Sequence, residues 1–313
     1  MKKPVLWILA LLVVLLILPL LQLETRNYIL QLFTFLFLNV VLATSYDLVG
    51  GMMGYINLGH ITFFAIGAYT FGIVYNAGMG VVGGLVLSTL VAVAFAALMS
   101  YPFFRLRGPY FSLAAFSLVK LMEYVTINLG WLTGGSNGLK IEPAVRVVPT
   151  YLISLGVVVV VMGTAWLIGR SRLGLAMKSI REDEEVARDF GVPVQQVKTL
   201  ALMISAAFPG IMGGLYTWNI NFINVEQVFG LEIALTPIAM AMLGGSGLLV
   251  GPLIGASFLY TAEELIWTNL EHLHGALLGL VIVLVGLFMP GGLVRLGPVS
   301  RLLTRLGLLE EDK

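Results

Sequence analysis

Apolar runs about as long as a bilayer is thick recur along the chain, separated by short polar interruptions. A membrane-spanning helix needs ~20 consecutive, predominantly apolar residues. Stretches of that order fall at 4–23, 28–49, 56–77, 81–101, 109–130, 150–169, 197–219, 232–250, 251–268 and 275–294. The pattern predicts an all-α polytopic integral membrane protein with about ten transmembrane segments, eight to ten in all. The 56–77 and 232–268 regions are rich in glycine and hold polar side chains, so broken or half-spanning helices are expected there. The first run, Pro4 to Leu23, is 20 residues long. A secretory signal has an apolar region of roughly 7–15 residues and a small-residue cleavage site. No such site follows here, and the run reads as a membrane anchor.

Composition agrees with the pattern. The 313 residues are 58% hydrophobic and 11% charged, against about 25% charged in soluble domains. The placement of charge then orients the chain. With ten spans, Lys2, Lys3, Arg105, Arg107, Arg170, Arg172, Lys178, Arg181, Arg188, Lys198, Arg295, Arg301, Arg305 and Lys313 fall on one side. Only Arg26, Lys140 and Arg146 fall on the other. By the positive-inside rule both termini are cytoplasmic. Residues 1–294 read as one transmembrane domain carrying a cytoplasmic loop at 170–196, and 295–313 as a cytoplasmic tail.

Several chemistries are not supported. The chain has no cysteine, hence no disulfide or thiolate site, and three scattered histidines (His60, His272, His274) make no credible metal site. GGSNGLK at 134–140 has its glycines wrongly spaced for a nucleoside-triphosphate loop and no Ser or Thr after the lysine. No cluster of catalytic groups is visible, so neither an enzymatic activity, a resident cofactor nor a nucleic-acid partner is expected; the partner that the composition demands is the lipid bilayer.

The 170–193 stretch, RSRLGLAMKSIREDEEVARDFGVP, stands apart: it has ten charged residues, while 144–169 has one. Leu173, Met177, Ile180, Ala187 and Phe190 project onto one helical arc, with Arg181, Glu182, Glu185 and Arg188 largely elsewhere. Gly191 and Pro193 stop the helix. Helices that lie on lipid are usually rich in Lys and Arg, whereas the middle of this one, REDEE, is acidic. The pattern therefore favours a short amphipathic helix that docks a protein partner.

These residues resemble a known family. EVARDFG (185–191) resembles the E-A-A-x-x-x-G signature of ABC importer permeases, with Glu185, Ala187 and Gly191 in register and Val186 in place of the first alanine. The longer string from Leu173 to Tyr216 is similar to the corresponding region of LivM-type branched-chain amino-acid permeases. So are DLVGGMMGYINLGHITFFAIGAYT (47–70), LRGPYFSLAAFSLVKLMEYV (106–125), WLTGGSNGL (131–139) and LGGSGLLVGPLIGA (243–256). The I-x-L-P that often follows the signature glycine is missing, and Pro193 arrives two residues after Gly191.

The resemblance implies a membrane subunit of a bacterial or archaeal ABC importer in the cytoplasmic (inner) membrane. Its expected partners are a second, LivH-type permease, two cytosolic ATPase subunits that bind the ATP, and a substrate-binding protein delivering leucine, isoleucine or valine. Urea or short-amide permeases, and permeases for other amino acids, share similar motifs. A secondary transporter acting alone is the reading from another class; its intramembrane acids for ion coupling are scarce here apart from Lys120 and Glu123.

On this reading the loop couples ATP hydrolysis to the pore. Met177, Ile180, Ala187 and Phe190 form its buried face, Arg181, Glu182, Asp183 and Glu185 orient it, and Gly191 allows the sharp exit. Glu184 and Asp189 are expected to be solvated. Asn57, Gly59, His60 and Thr62 either pack helices or line the translocation path. Lys120 and Glu123 share a face at i and i+3, as an ion pair or as part of the path. Thr133, Gly134, Gly135, Ser136, Asn137 and Gly138 form a flexible turn, either an ordinary loop or part of an outer gate. Glu263 and Glu264 lie near the end of a span, where snorkelling makes them less informative.

Overall fold

The computed structural model describes residues 12–20, 25–269, 279, 283 and 292–295, with the backbone alone at 266–269. Among these the chain is helical almost throughout. The helices that run from end to end of the molecule are α1 (Arg26–Gly50), α2 (Ile61–Asn76), α3 (Gly80–Phe103), α4 (Pro109–Asn128) and α5 (Val147–Arg170). Two short helices follow, α6 (Arg172–Glu182) and α7 (Glu184–Asp189), then α8 (Val194–Ile220), α9 (Val225–Phe229), α10 (Leu231–Gly244) and α11 (Gly251–Asn269). A two-stranded antiparallel pair, β1 (Leu139–Lys140) with β2 (Phe222–Ile223), is the one piece of sheet among the described residues.

The long helices alternate in direction. At one end, Gly51 meets Arg181, Arg107 meets Glu185, and Gly247 meets Asp47. At the other, Asn76 bonds Lys140, and Arg146 bonds the Trp218 carbonyl. Eight helices (α1–α5, α8, α10 and α11) run between these two ends, matching the eight predicted spans between residues 28 and 268. Among the described residues six helical segments are long and apolar enough to cross a membrane, α9 and α10 together counting as one (Val225–Gly244). The predicted spans at 4–23 and 275–294 and the 295–313 tail lie largely outside the described residues.

The expected breaks are present. Residues 51–60 are not helical, and α2 starts only at Ile61. Its 16 residues span about 24 Å at 1.5 Å rise per residue, short of a ~30 Å hydrocarbon core. Between α10 and α11 the chain reverses through Gly245–Val250.

Apolar burial contributes little to helix association in lipid, so close packing and interhelical hydrogen bonds must hold the bundle. Its centre is α8, which packs most extensively on α2 and α3. The backbones nearly touch: a Cβ on Gly213 would sit 2.0 Å from the Phe64 carbonyl oxygen, and one on Gly67 2.0 Å from that of Gly210. Around these sit Leu42, Phe64, Phe71, Met212 and Leu215, all buried. Hydroxyls cross between helices, with Ser205 donating to the Ser45 carbonyl at 2.7 Å and Ser88 to that of Gly67 at 2.9 Å. The outer faces of α3, α4 and α5 instead expose Val82, Leu98, Leu113, Val160 and Leu167, as suits surfaces solvated by acyl chains.

Candidate functional site

The charged 170–193 stretch is an elbow of two helices, where one was expected. Ser171 caps α6, its hydroxyl accepting from the Gly174 N–H at 3.2 Å. The helix ends at Asp183, which is extended (φ −157°, ψ 117°) and caps α7 by accepting from Glu185 N at 2.8 Å and Val186 N at 3.1 Å. Capping by an aspartate ahead of two glutamates suits the positive N-terminal end of a helix, and it breaks the single arc in two. Gly191, at φ +84°, turns the chain out toward α8, a conformation that costs other residues roughly 1–2 kcal/mol.

The apolar arc packs inward. Met177, Ile180 and Ala187 are buried in one cluster with Leu48, Val49, Met53, Phe63 and Val197 of this same chain. Phe190 was expected on that face; it is 85% exposed, with Leu175 at 65% and Val186 at 48%. The extended break at Asp183 re-aims α7, which carries Phe190 at its end, and the bare apolar surface of the elbow is its outer side.

Charges split in the same way. Glu184, expected to be solvated, is turned inward: its carboxylate sits 2.5 Å from Lys198 Nζ, and their side chains are 13% and 0% exposed. The Tyr55 hydroxyl also donates to Glu184 Oε2, and Tyr55 stands edge-on to Phe104 and Phe111. Burial pushes the Glu184 carboxyl up, but hydrogen bonds from Lys198 and Tyr55 and the Lys198 and Arg107 charges reverse this and hold its pKa below the ordinary value. Glu185 pairs with Arg107 at 2.6 Å on the surface, while Glu182 and Asp189 are exposed.

Arg181 reaches away from the elbow. Its Nη1 donates to the Gly51 carbonyl at 2.6 Å, just beyond α1. One turn back lies Asp47, 3% exposed. Its carboxylate accepts from Ser246 Oγ at 2.7 Å and from Gly247 N at 2.9 Å, in the reversal between α10 and α11. The elbow, the end of α1 and the α10–α11 reversal are thus joined by charge-assisted bonds, which are about twice as strong as neutral ones. Asp47, Tyr55, Lys198, Ser246 and Gly247 were not among the expected site residues. An aspartate inside an apolar run was the available signal.

Most residues considered for the translocation path are packed or peripheral. Asn57, His60 and Thr62 are buried; Asn57 accepts from Gly59 N, and His60 Nε2 lies 3.0 Å from Ser45 Oγ. Gly59 lets α4 approach, since a Cβ there would stand 2.6 Å from the Ala115 carbonyl. Lys120 and Glu123 pair at 2.7 Å with half of Lys120 exposed. The turn expected to be flexible is built: Thr133 is buried and donates to the Thr126 carbonyl at 2.6 Å, Gly134, Gly135 and Gly138 take positive φ, and Ser136 and Asn137 are exposed.

A cavity of about 300 Å³ opens elsewhere, among α1, α2, α8, α9, α10 and α11. Its polar wall holds Asn39, Gln227, Glu232, Thr236, Glu263 and Glu264; Phe35, Leu38 and Phe64 belong to its apolar wall. Tyr28, in the first turn of α1, donates to Glu264 at 3.0 Å, which puts this cavity in the half of the molecule away from the elbow. A second cavity of about 420 Å³, between α3, α5 and α8, is walled mainly by apolar side chains such as Val160 and Ile211 and has little to orient a polar solute.

The chain is 29% identical, over 84% of its length and 68% of the relative's, to the high-affinity branched-chain amino acid transport system permease protein LivM of Escherichia coli (strain K12). The LivM of Salmonella typhimurium matches equally, at 29% over the same shares. The autoinducer 2 import system permease protein LsrC of Yersinia pseudotuberculosis is 25% identical over 82% of this chain and 76% of its own. No solved structure matches. Residues 28–286 match the family described as branched-chain amino acid transport system / permease component. The eight alternating helices, their glycine-mediated packing and this match over most of the sequence lead to one assignment: the chain is a multi-pass membrane protein belonging to that permease family.

Proposed function

We propose that the chain is the membrane-spanning permease subunit of an ABC importer that carries branched-chain amino acids across a bacterial inner membrane. The family match along residues 28–286 carries this reading. The elbow is then the contact for a cytosolic ATPase subunit. Supporting this, Phe190, Val186 and Leu175 are bare on its outer side, and burying one such side chain against a partner is worth ~1.5–3 kcal/mol. Arg105, Arg107, Arg170, Arg172, Lys178 and Arg188 gather at the elbow end, which suits a cytosolic face.

Force applied at the elbow has a route inward. Met177, Ile180 and Ala187 key it into the bundle, and Arg181 leads through Gly51 and Asp47 to the reversal that joins α10 and α11. Those two helices carry Glu232, Thr236, Glu263 and Glu264 of the polar cavity. The ATP is held by two partner subunits, a second permease completes the membrane domain, and a substrate-binding protein delivers the solute.

The test is reconstitution into liposomes with the partner permease, the ATPases and the binding protein. ATP-dependent uptake of leucine is expected, without uptake of urea, and lost when any partner is left out. Uptake by this chain alone, driven by an ion gradient, would contradict the proposal.

A further inference from the structure

The outer face of α4 differs from those of its neighbours. Every exposed residue of α3 from Val82 to Leu98, and of α5 from Leu152 to Leu167, is apolar. On α4 the exposed positions beyond Pro109 are Tyr110, Ser117, Lys120, Tyr124 and Asn128, with Leu113 and Leu121 among them. Helical spacing puts them on one stripe along the whole helix. Leu113 taken alone suits acyl chains; the stripe it belongs to does not. Lys120 lies 11 residues beyond Pro109 and eight before Asn128, so ~16 Å and ~12 Å from the two ends of α4 at 1.5 Å per residue. It pairs with Glu123 at 2.7 Å, and the two side chains are 46% and 26% exposed. Charged groups at that depth characteristically face a bundle interior or water. Among the described residues α4 meets α2 and α3 only sparingly, and the pair is left on its outer side. The stripe also runs from end to end. It begins one turn after Arg107, which pairs with Glu185 of the elbow, and it ends beside the built turn, where Thr133 donates to the Thr126 carbonyl.

We propose that this stripe is the wall the chain contributes to a water-filled translocation path, closed on its far side by the second permease, and that Lys120 and Glu123 are the transit site on it for a zwitterionic amino acid. The inference rests on the importer reading and deepens it. An α-amino acid carries a carboxylate and an ammonium on one carbon. As it passes, Lys120 takes the carboxylate and Glu123 the ammonium, so one ion pair is exchanged for two and no charge is left bare. Leu113 and Leu121 on the same stripe offer an aliphatic side chain an apolar contact. A solute with a single charge satisfies one of the two protein groups and strands the other, which is costly where water is scarce. The permease itself therefore selects for zwitterions.

The chain has no cysteine, so one introduced thiol reports on its surroundings without background. Ser117→Cys and Tyr124→Cys probe the stripe on either side of the pair; Leu98→Cys on α3 and Val160→Cys on α5 are the controls. The permease pair with its ATPases is placed in lipid nanodiscs, which leave both faces open, and is treated with charged methanethiosulfonate reagents with and without ATP. The thiolate is the reactive form, and charged reagents stay out of hydrocarbon. Both stripe thiols should thus react at least about tenfold faster than the controls in one of the two conditions. Thiols as slow as the controls would overturn the path wall. So would thiols that crosslink to the second permease yet stay inert to the reagents, which would make the stripe a dry subunit contact.

Millimolar leucine should slow the labelling of the stripe thiols, while 4-methyl-2-oxopentanoate and 3-methylbutylamine, which carry one charge each, should not. Glu123→Gln should then let the oxo acid protect, and Lys120→Met should let the amine protect. A merely structural ion pair would give neither switch. No protection by leucine, equal protection by all three solutes, or an unchanged preference in both variants would each overturn the transit site. ATP-driven leucine uptake is measured in vesicles with the binding protein present. Uptake with inert or unprotected thiols removes only the site on α4, whereas protected thiols without ATP-driven uptake remove only the importer reading.

Discussion

Glu184 shows how one side chain fixes the seat of the elbow. Lys198 is wholly buried, and Glu184 is the carboxylate that faces it at 2.5 Å. Removing one partner of a buried pair costs ~3–5 kcal/mol, because the other charge is left behind. Glu184→Ala should therefore lower the thermal midpoint of the purified protein and speed amide exchange over 184–192, whereas Asp189→Ala, at an exposed site, should change neither; equal effects would remove the pair from the account. The pH dependence has a definite sign. The Glu184 pKa is held down, so its contribution is complete above the unfolded carboxylate value of ~4.3 and is lost as pH falls through the lower folded value. A run of four acids, Glu182 to Glu185, does not reveal which one turns inward. The answer lies in Tyr55 and Lys198, 129 and 14 residues away, and no local pattern carries that. Phe190 failed as a prediction for the same reason: helical periodicity is a local rule, and Gly191 with Asp183 bends the backbone away from one continuous helix.

At the level of elements, the long apolar helices were legible because hydropathy and length are local properties. Eight predicted runs correspond to α1–α5, α8, α10 and α11, and glycine with polar content marked both breaks. The division of the elbow into α6 and α7 was also written in the sequence, since aspartate followed by two glutamates is a helix start. What was not legible is how elements connect. Asp47 joins α1 to a reversal 200 residues further on, and only the fold brings them together. If that joint transmits motion, Asp47→Ala should leave binding-protein-stimulated ATP hydrolysis in the reconstituted importer intact and cut leucine uptake by about tenfold or more, a coupling loss of ~1.4 kcal/mol or more. Hydrolysis and uptake falling in parallel would make Asp47 a folding residue and nothing else.

For the whole molecule, the two ends differ as an importer subunit requires. One carries the elbow and most of the described basic residues; the half nearer the other opens an acidic cavity, with α10 and α11 running between them. The cavity was hidden from the sequence because its walls come from six helices and its glutamates sit where span ends are usually uninformative. The central claim is that the outer side of the elbow is held by a nucleotide-hydrolysing subunit, and Phe190 is its most exposed apolar side chain, at 85%. Phe190→Cys in this cysteine-free chain provides the direct measurement, a thiol crosslink in the assembled importer combined with labelling by an impermeant reagent. The account predicts a crosslink to the ATPase subunit, and a thiol that an impermeant reagent reaches only from the cytosolic side. A thiol labelled from outside intact cells, or one that captures no ATPase subunit in the assembled complex, would contradict it.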